Sequence, residues 1–327
     1  MQIRQLAYSL LFTAAIPLLV SGADHGQAIT DVKAAGPDYA LQGEYKGSVK
    51  TKDGKQAFGT QVIALGDDKF QVVGYPGGLP GEGWSRGDEL HRIDATAENG
   101  KISFQHEGAE IVVGDDQITV TVEGELLGTL KKVKRKSPTL GAKPPADATV
   151  LFDGSSADKF ENGKLVDGKW LGATNCASKL KLGDHTLHIE FRTPYMPHAR
   201  GQGRGNSGVY IQSRYELQVL DSFGLEGKDN ECGGIYSISP PDVNMCFPPL
   251  TWQTYDIDFT AAKYNDAGEK TKNARVTVKH NGVVIHDDRE LDHGTPGRHK
   301  EGPEPDALFL QNHGNPVVFR NIWVVQK

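Results

Sequence analysis

Apolar and polar residues alternate along most of this chain with the period of two that a pleated strand imposes. From Gly43 to about Arg135 the runs GTQVIAL, KFQVVGY, KISFQHE, AEIVVG and QITVTVEGE carry Val, Ile, Phe and Thr at alternate positions, separated by Gly and Asp. They predict a small antiparallel all-β unit. YPGGLPGEGW (Tyr75–Trp84) breaks the alternation and is expected to be a plain surface loop at the edge of that sheet. KKVKRKSPTLGAKPPADA, from Lys131 to Ala148, is basic and then Pro-rich, the composition of an interdomain linker. Beyond it, HTLHIEFR, SGVYIQ, YELQVLD, TYDIDFT, ARVTVKHNGVVIHDD, ALFLQ and VVFRNIWVV predict a second, larger β unit. Within it, two alternating runs flank Asn281-Gly282, the dipeptide suited to a type I′ hairpin. The expected organisation is a leader over 1–23, a small all-β domain over 38–136, a linker over 137–148 and a β-sandwich or jelly roll over 149–327.

Composition changes this picture little. The 327 residues carry a net charge of -6 and are 24% charged, an ordinary balance with no basic surplus for nucleic acid. Arg4, the apolar run from Leu6 to Val20 and the small residues Ser21-Gly22-Ala23 read as a secretory signal cleaved after Ala23. A periplasmic or secreted protein is therefore expected. The run is short and contains Pro17, and no later stretch is long enough to span, so no membrane insertion is expected. Three cysteines, Cys176, Cys232 and Cys246, leave at least one unpaired; a Cys232–Cys246 bridge and three buried thiols fit equally. The oligomeric state has no signature in the sequence.

Candidate chemistry begins in GNSGVYIQSRYELQVLDS. Parity puts Tyr215, Leu217, Val219 and Asp221 on one face of YELQVLD and Glu216 and Gln218 on the other, where Tyr210 and Gln212 of the preceding run join them. A solvated face explains such a pattern. A face of Tyr, Gln and Glu also suits a polyhydroxylated ligand. LFLQNHGNPVVFRNIWV offers Gln311 and His313, followed by Arg320 on the next strand. VIHDDRELDHG gathers His286, Asp287, Asp288, Asp292 and His293, ligand types for a hard cation but with no recognised spacing, so a solvated acidic loop is the expectation.

LFDG, LHIEFR, GNSGVYIQSRYELQVLDS, GGIY, WQTYDIDF, HNGVVIHD and LQNHGNPVVFRNIWV, in this order over Thr149 to Lys327, resemble the bacterial 3-keto-glycoside lyase/hydratase (3-keto-disaccharide hydrolase) family. The resemblance implies an all-β, concanavalin-like two-sheet jelly roll with a sugar-binding face. It also implies cleavage of a 3-keto-glycoside by C2 proton abstraction, β-elimination of the C1 substituent and hydration. On this reading Glu216 and His313 are base and acid partners. Arg320 polarises the ketone, with or without a divalent metal ion. Gln218, Asp221, Tyr236 and Gln311 hold hydroxyls or the metal, and Tyr210, Gln212 and Trp252 bind substrate; Arg192 fits a salt-bridge partner as well as a site residue. SFGLEGKDNECGGIY and PPDVNMCFPPLTWQTY resemble the longer version of the family, which implies that Cys232 and Cys246 lie in loops flanking the site. A non-catalytic sugar-binding module, a conventional glycosidase of the same fold and a surface interaction protein working through its amino-terminal unit are the rival readings.

Overall fold

A computed structural model describes residues 26–327; the expected leader lies outside the described residues. The amino-terminal unit is a closed eight-stranded antiparallel barrel. The five runs recognised by alternation are joined by Gly43–Thr51, His91–Glu98 and Glu125–Val133, and the first and last of these three pair edge to edge to close it. The first and last are rich in Lys, Glu and Gly, and closure rather than composition makes them strands, because a barrel leaves no unpaired edge. Asp38–Leu41 forms one helical turn whose Leu41 enters the barrel core. Among the described residues no helix is long and apolar enough to cross a membrane.

The second unit is a two-sheet sandwich. One sheet runs Leu165–Val166, Trp170–Gly172, Val318–Gln326, His185–Arg192, Gln253–Thr260, Ala274–His280 and Val283–Leu291, with Thr149–Phe152 also paired to Val318–Gln326. The other runs Phe160–Glu161, Cys176–Leu182, Asp306–Leu310, Ser207–Ile211 and Tyr215–Val219. Alternation assigns the inward faces: Val209, Leu217, Val219 and Leu310 meet Ile189, Phe191, Tyr255 and Ile257 in one core. Asn281 takes φ 51° in the hairpin between Ala274–His280 and Val283–Leu291, as the Asn-Gly signal requires.

Two expected loops are structural. Tyr75 and Trp84 of the Gly/Pro stretch pack edge to face at 5.2 Å and, with Ile63 and Val73, belong to the sandwich core rather than to the barrel interior. Arg86 donates to the carbonyls of Gly227 and Pro241, each at 2.7 Å. The stretch is thus the seam between the two units. The segment expected as linker is equally tied down. Ser137 Oγ lies 2.7 Å from Thr254 Oγ1, Thr139 donates to Asp256 at 2.6 Å, and Gly141 N–H donates to Glu190 at 2.5 Å. The segment runs through turns, with Leu140 N–H donating to the Ser137 carbonyl and Ala142 N–H to the Thr139 carbonyl, and its hydrogen bonds to the outer face of the larger sheet make it a strap.

Candidate active site

The outer face of the smaller sheet is built by register. Tyr210 stands opposite Glu216 and beside Phe309, and Gly208 stands opposite Gln218. Gln311 joins the second row by donating its N–H to the Gly208 carbonyl at 3.0 Å. Parity therefore gathers Glu216, Gln218, Tyr210 and Gln311 on one face. It does not expose them: Glu216 is 4% accessible and Tyr210 2%. The solvated face expected from alternation is covered on two sides.

One cover is the segment after Cys232, which continues the sheet. Gln218 and Gly233–Gly234 exchange backbone hydrogen bonds at 2.9 and 3.0 Å, and Tyr236 N–H donates to the Glu216 carbonyl at 3.1 Å. The other is the loop from Gly294 to Glu301. Thr295 Oγ1 accepts the Glu216 N–H at 2.8 Å, and Arg298 lies 3.9 Å from the centre of the Phe309 ring. Gly297 sits so close over Tyr210 that a Cβ there would fall 2.9 Å from the phenol oxygen.

Under this roof the Tyr210 hydroxyl donates to Glu216 Oε2 at 2.8 Å and accepts from Gln311 Nε2 at 3.1 Å. No ion pair involves Glu216 among the described residues. Burial pushes its carboxyl up to about 7, against the smaller opposing effect of the Tyr210 hydrogen bond. Burial beside that carboxylate pushes the Tyr210 phenol well above its ordinary value. Gly208 makes room for the arrangement, since a Cβ there would lie 2.3 Å from Glu216 Oε1. Farther along, Gln218 donates to Asn206 at 2.8 Å, Asn206 to the Gln202 side chain at 3.0 Å, and Gln202 to the Asn230 carbonyl at 2.7 Å. Gln311 Oε1 is buried with no partner, an acceptor free for a hydroxyl.

The other sequence candidates disperse. His313 is exposed on the turn whose Asn315 accepts the Asn206 N–H at 2.7 Å, which places that turn at the Gln218 end of the row. Tyr236 is half-buried at the sheet's extended edge. Gln212 leaves the face: it turns the hairpin at φ 50° and donates to the Leu182 carbonyl at 2.7 Å. Asp221, past the strand end, is held at 2.7 Å by Arg204 and caps the Phe223 N–H. Arg320 and Trp252 lie on the far side of the sandwich. Arg320 binds Glu190 at 2.6 Å and stacks on Trp252 at 4.1 Å, and Arg192 is stacked on Trp170 at 4.2 Å. Arg320 follows His313 closely in sequence, but the strand carrying it belongs to the other sheet.

His286 is buried and bonded to the Gly233 carbonyl, whereas Asp288 pairs with Arg275 and Asp292 with His293 at the surface, so those ligand types do not converge. All three cysteines are buried thiols. Cys232 Sγ lies 3.2 Å from the Tyr255 hydroxyl and Cys246 Sγ donates to the Leu220 carbonyl at 3.6 Å; burial pushes the Cys246 thiol well up, whereas burial at Cys232 is outweighed by the neighbouring donors, which hold it down. Arg298 and the Gln202–Asn206 pair escaped the sequence reading. The Gly and Pro residues around Arg298 signalled only a loop, and Asn206 was hidden in a motif read for its strand.

Residues 147–325 match the profile of a family described as the 3-keto-alpha-glucoside-1,2-lyase-like domain. A crystal structure of a protein from Parabacteroides distasonis described as a "putative glycosyl hydrolase" is 31% identical and superposes with a TM-score of 0.50 over 56% of this chain and 85% of its own. A second protein of that description from the same organism is 16% identical over 55% of this chain and 94% of its own, with a TM-score of 0.40. No curated protein matches the chain.

Proposed function

The chain belongs to the 3-keto-alpha-glucoside-1,2-lyase-like family, and from that premise we propose that it cleaves 3-keto-glycosides with Glu216 as the proton-transferring group. The observation that carries this reading is a buried carboxyl without a cation, poised at about 7, on the face where a sugar would meet amides. A ketone at C3 acidifies the C2 proton. The Glu216 carboxylate takes that proton, the electron pair forms the C1–C2 double bond as the C1–O bond breaks, and the departing oxygen is protonated. Water then adds its hydroxyl to C1 while Glu216 returns a proton to C2, so net hydrolysis needs no oxidant.

Charge that builds on the ketone oxygen calls for a donor, and the guanidinium of Arg298 supplies it. Arg298, rather than Arg320, lies on this face, over the Phe309 ring. His313, on the rim, serves the leaving group. Gln311 Oε1 accepts a sugar hydroxyl. One carboxylate, a phenol and amides do not make a site for a divalent ion. Substrate entry requires the Gly294–Glu301 roof to lift.

The test is incubation of the protein with 3-keto-trehalose and 3-keto-lactose beside the unoxidised parents, following reducing sugar and 2-hydroxyglucal, with and without EDTA. Turnover of the keto sugars alone, lost in Glu216→Gln, supports the proposal. Binding of unoxidised sugars without any turnover would leave a binding module.

A further inference from the structure

The barrel contains a site that the sugar chemistry does not use. Its end nearest the helical turn is filled by Tyr45, Phe70, Ile102 and Val113, all fully buried. The rest is hollow: a cavity of ≈ 320 Å³ is walled by inward residues such as Phe58, Val72, Phe104 and Val120 and rimmed by His91, His106 and Glu107. The seam beneath this rim is open. Strands His91–Glu98 and Lys101–His106 pair only at Ala97–Ile102 and Glu98–Lys101, so the two imidazoles face each other across a gap in the ladder.

We propose that His91, His106 and Glu107 bind one divalent first-row transition ion of the zinc class. One donor atom from each lies within 4.8 Å of the others. His91 Nδ1 and His106 Nε2 are 3.3 Å apart, a hydrogen bond whose shared proton a bound ion would replace. Two nitrogens at about 2.0–2.1 Å from a tetrahedral ion stand about 3.3–3.4 Å apart, so the rings already hold the spacing of two ligands. Glu89 Oε1 lies 3.8 Å from His91 Nε2, on the ring nitrogen left over if Nδ1 ligates, where an outer carboxylate orients a metal-binding histidine. Two imidazoles and a carboxylate favour zinc, cobalt or nickel over calcium or magnesium. The cavity leaves space for water or another ligand at the remaining position.

Untagged full-length protein is titrated with Co²⁺ and the visible absorption followed, with Zn²⁺ as competitor. One equivalent of Co²⁺ giving the strong bands of a four- or five-coordinate ion, displaced by Zn²⁺, is expected. Affinity should fall at least 10-fold in His106→Ala and in Glu107→Gln, and stay unchanged in His293→Ala, which removes a surface His–Asp pair. Unfolding monitored in parallel identifies any variant that has lost the barrel; His91→Gln, close in size, then replaces it. Absence of stoichiometric binding, or binding that follows His293 instead, overturns the assignment. Neither result bears on the sugar chemistry, because these residues lie outside the sandwich.

Discussion

Two buried glutamates project from opposite outer faces of one sandwich, and their surroundings give them opposite character. Glu190, on the larger sheet, receives hydrogen bonds from Arg320, Asn321 and the Gly141 N–H and faces His188 at 3.5 Å. Burial pushes its carboxyl up, but those donors outweigh it and hold the group at about 2. Glu216 is as deeply buried and has one neutral donor, so burial prevails and it sits at about 7. A fully satisfied carboxylate is fixed as an anion and serves to fasten the strap. An undersatisfied one keeps a proton to exchange.

The largest expected effect separates the two by activity. Glu216→Gln keeps size and the Tyr210 contact but removes the proton-transfer group; we expect kcat on a 3-keto-glycoside to fall roughly 10²- to 10⁴-fold with the fold intact. Glu190→Ala should do the reverse. It strands His188 and the strap, and unfolding by urea should show a loss of about 3–5 kcal/mol, while kcat per folded molecule changes little. If Glu190→Ala abolished turnover in folded protein, the comparison would fail and the chemistry would belong to the larger sheet.

The same contrast predicts opposite pH dependence of stability. Glu216 has a folded value of about 7 against 4.5 in the open chain, so the folded state holds the extra proton. Stability from this group is greatest below about 4.5 and is lost as pH rises to about 7, by on the order of 3 kcal/mol. Glu190, at about 2 against 4.5, stabilises above 4.5 and loses that contribution as pH falls towards 2. His188 is pulled down by burial but raised overall by Asp256 and Glu190; its stabilisation is present below 6.5 and fades as pH rises through its folded value, overlapping that of Glu216. The difference between wild type and Glu216→Gln isolates the carboxyl. We expect Glu216→Gln to be the more stable protein at pH 8 and the advantage to vanish by pH 4, measured by denaturant unfolding. Equal stability at both pH values would place Glu216 in water.

How this contrast could be read beforehand depends on the range of the signal. Parity alone separated Glu216 and Gln218 from Leu217 and Val219, because alternation is local and every residue of a strand obeys it. It carried no account of burial, which comes from the Gly294–Glu301 roof some eighty positions away. Nor did it reveal that Glu190 lies under a strap, since the Pro-rich segment gives no sign of the hydrogen bonds it makes. Arg320 shows the limit on the other side: adjacency in sequence to His313 says nothing of which sheet the next strand joins. Closure of the barrel was hidden for the same reason, as Gly43–Thr51 and Glu125–Val133 become neighbours only when the ends meet.

The finest test concerns the one hydrogen bond that moderates Glu216. The Tyr210 hydroxyl favours the ionised carboxylate, so Tyr210→Phe should raise the Glu216 pKa further and move the acid limb of kcat/KM to higher pH. A neutral hydrogen bond is worth about 0.5–1.5 kcal/mol, which sets an expected loss of roughly 2- to 10-fold on that limb and recovery at alkaline pH. Gln311 would keep its place through its backbone bond to Gly208. A fall of 100-fold or more at every pH would mean that the phenol itself passes a proton to the substrate, and would move Tyr210 from tuning the base to acting beside it.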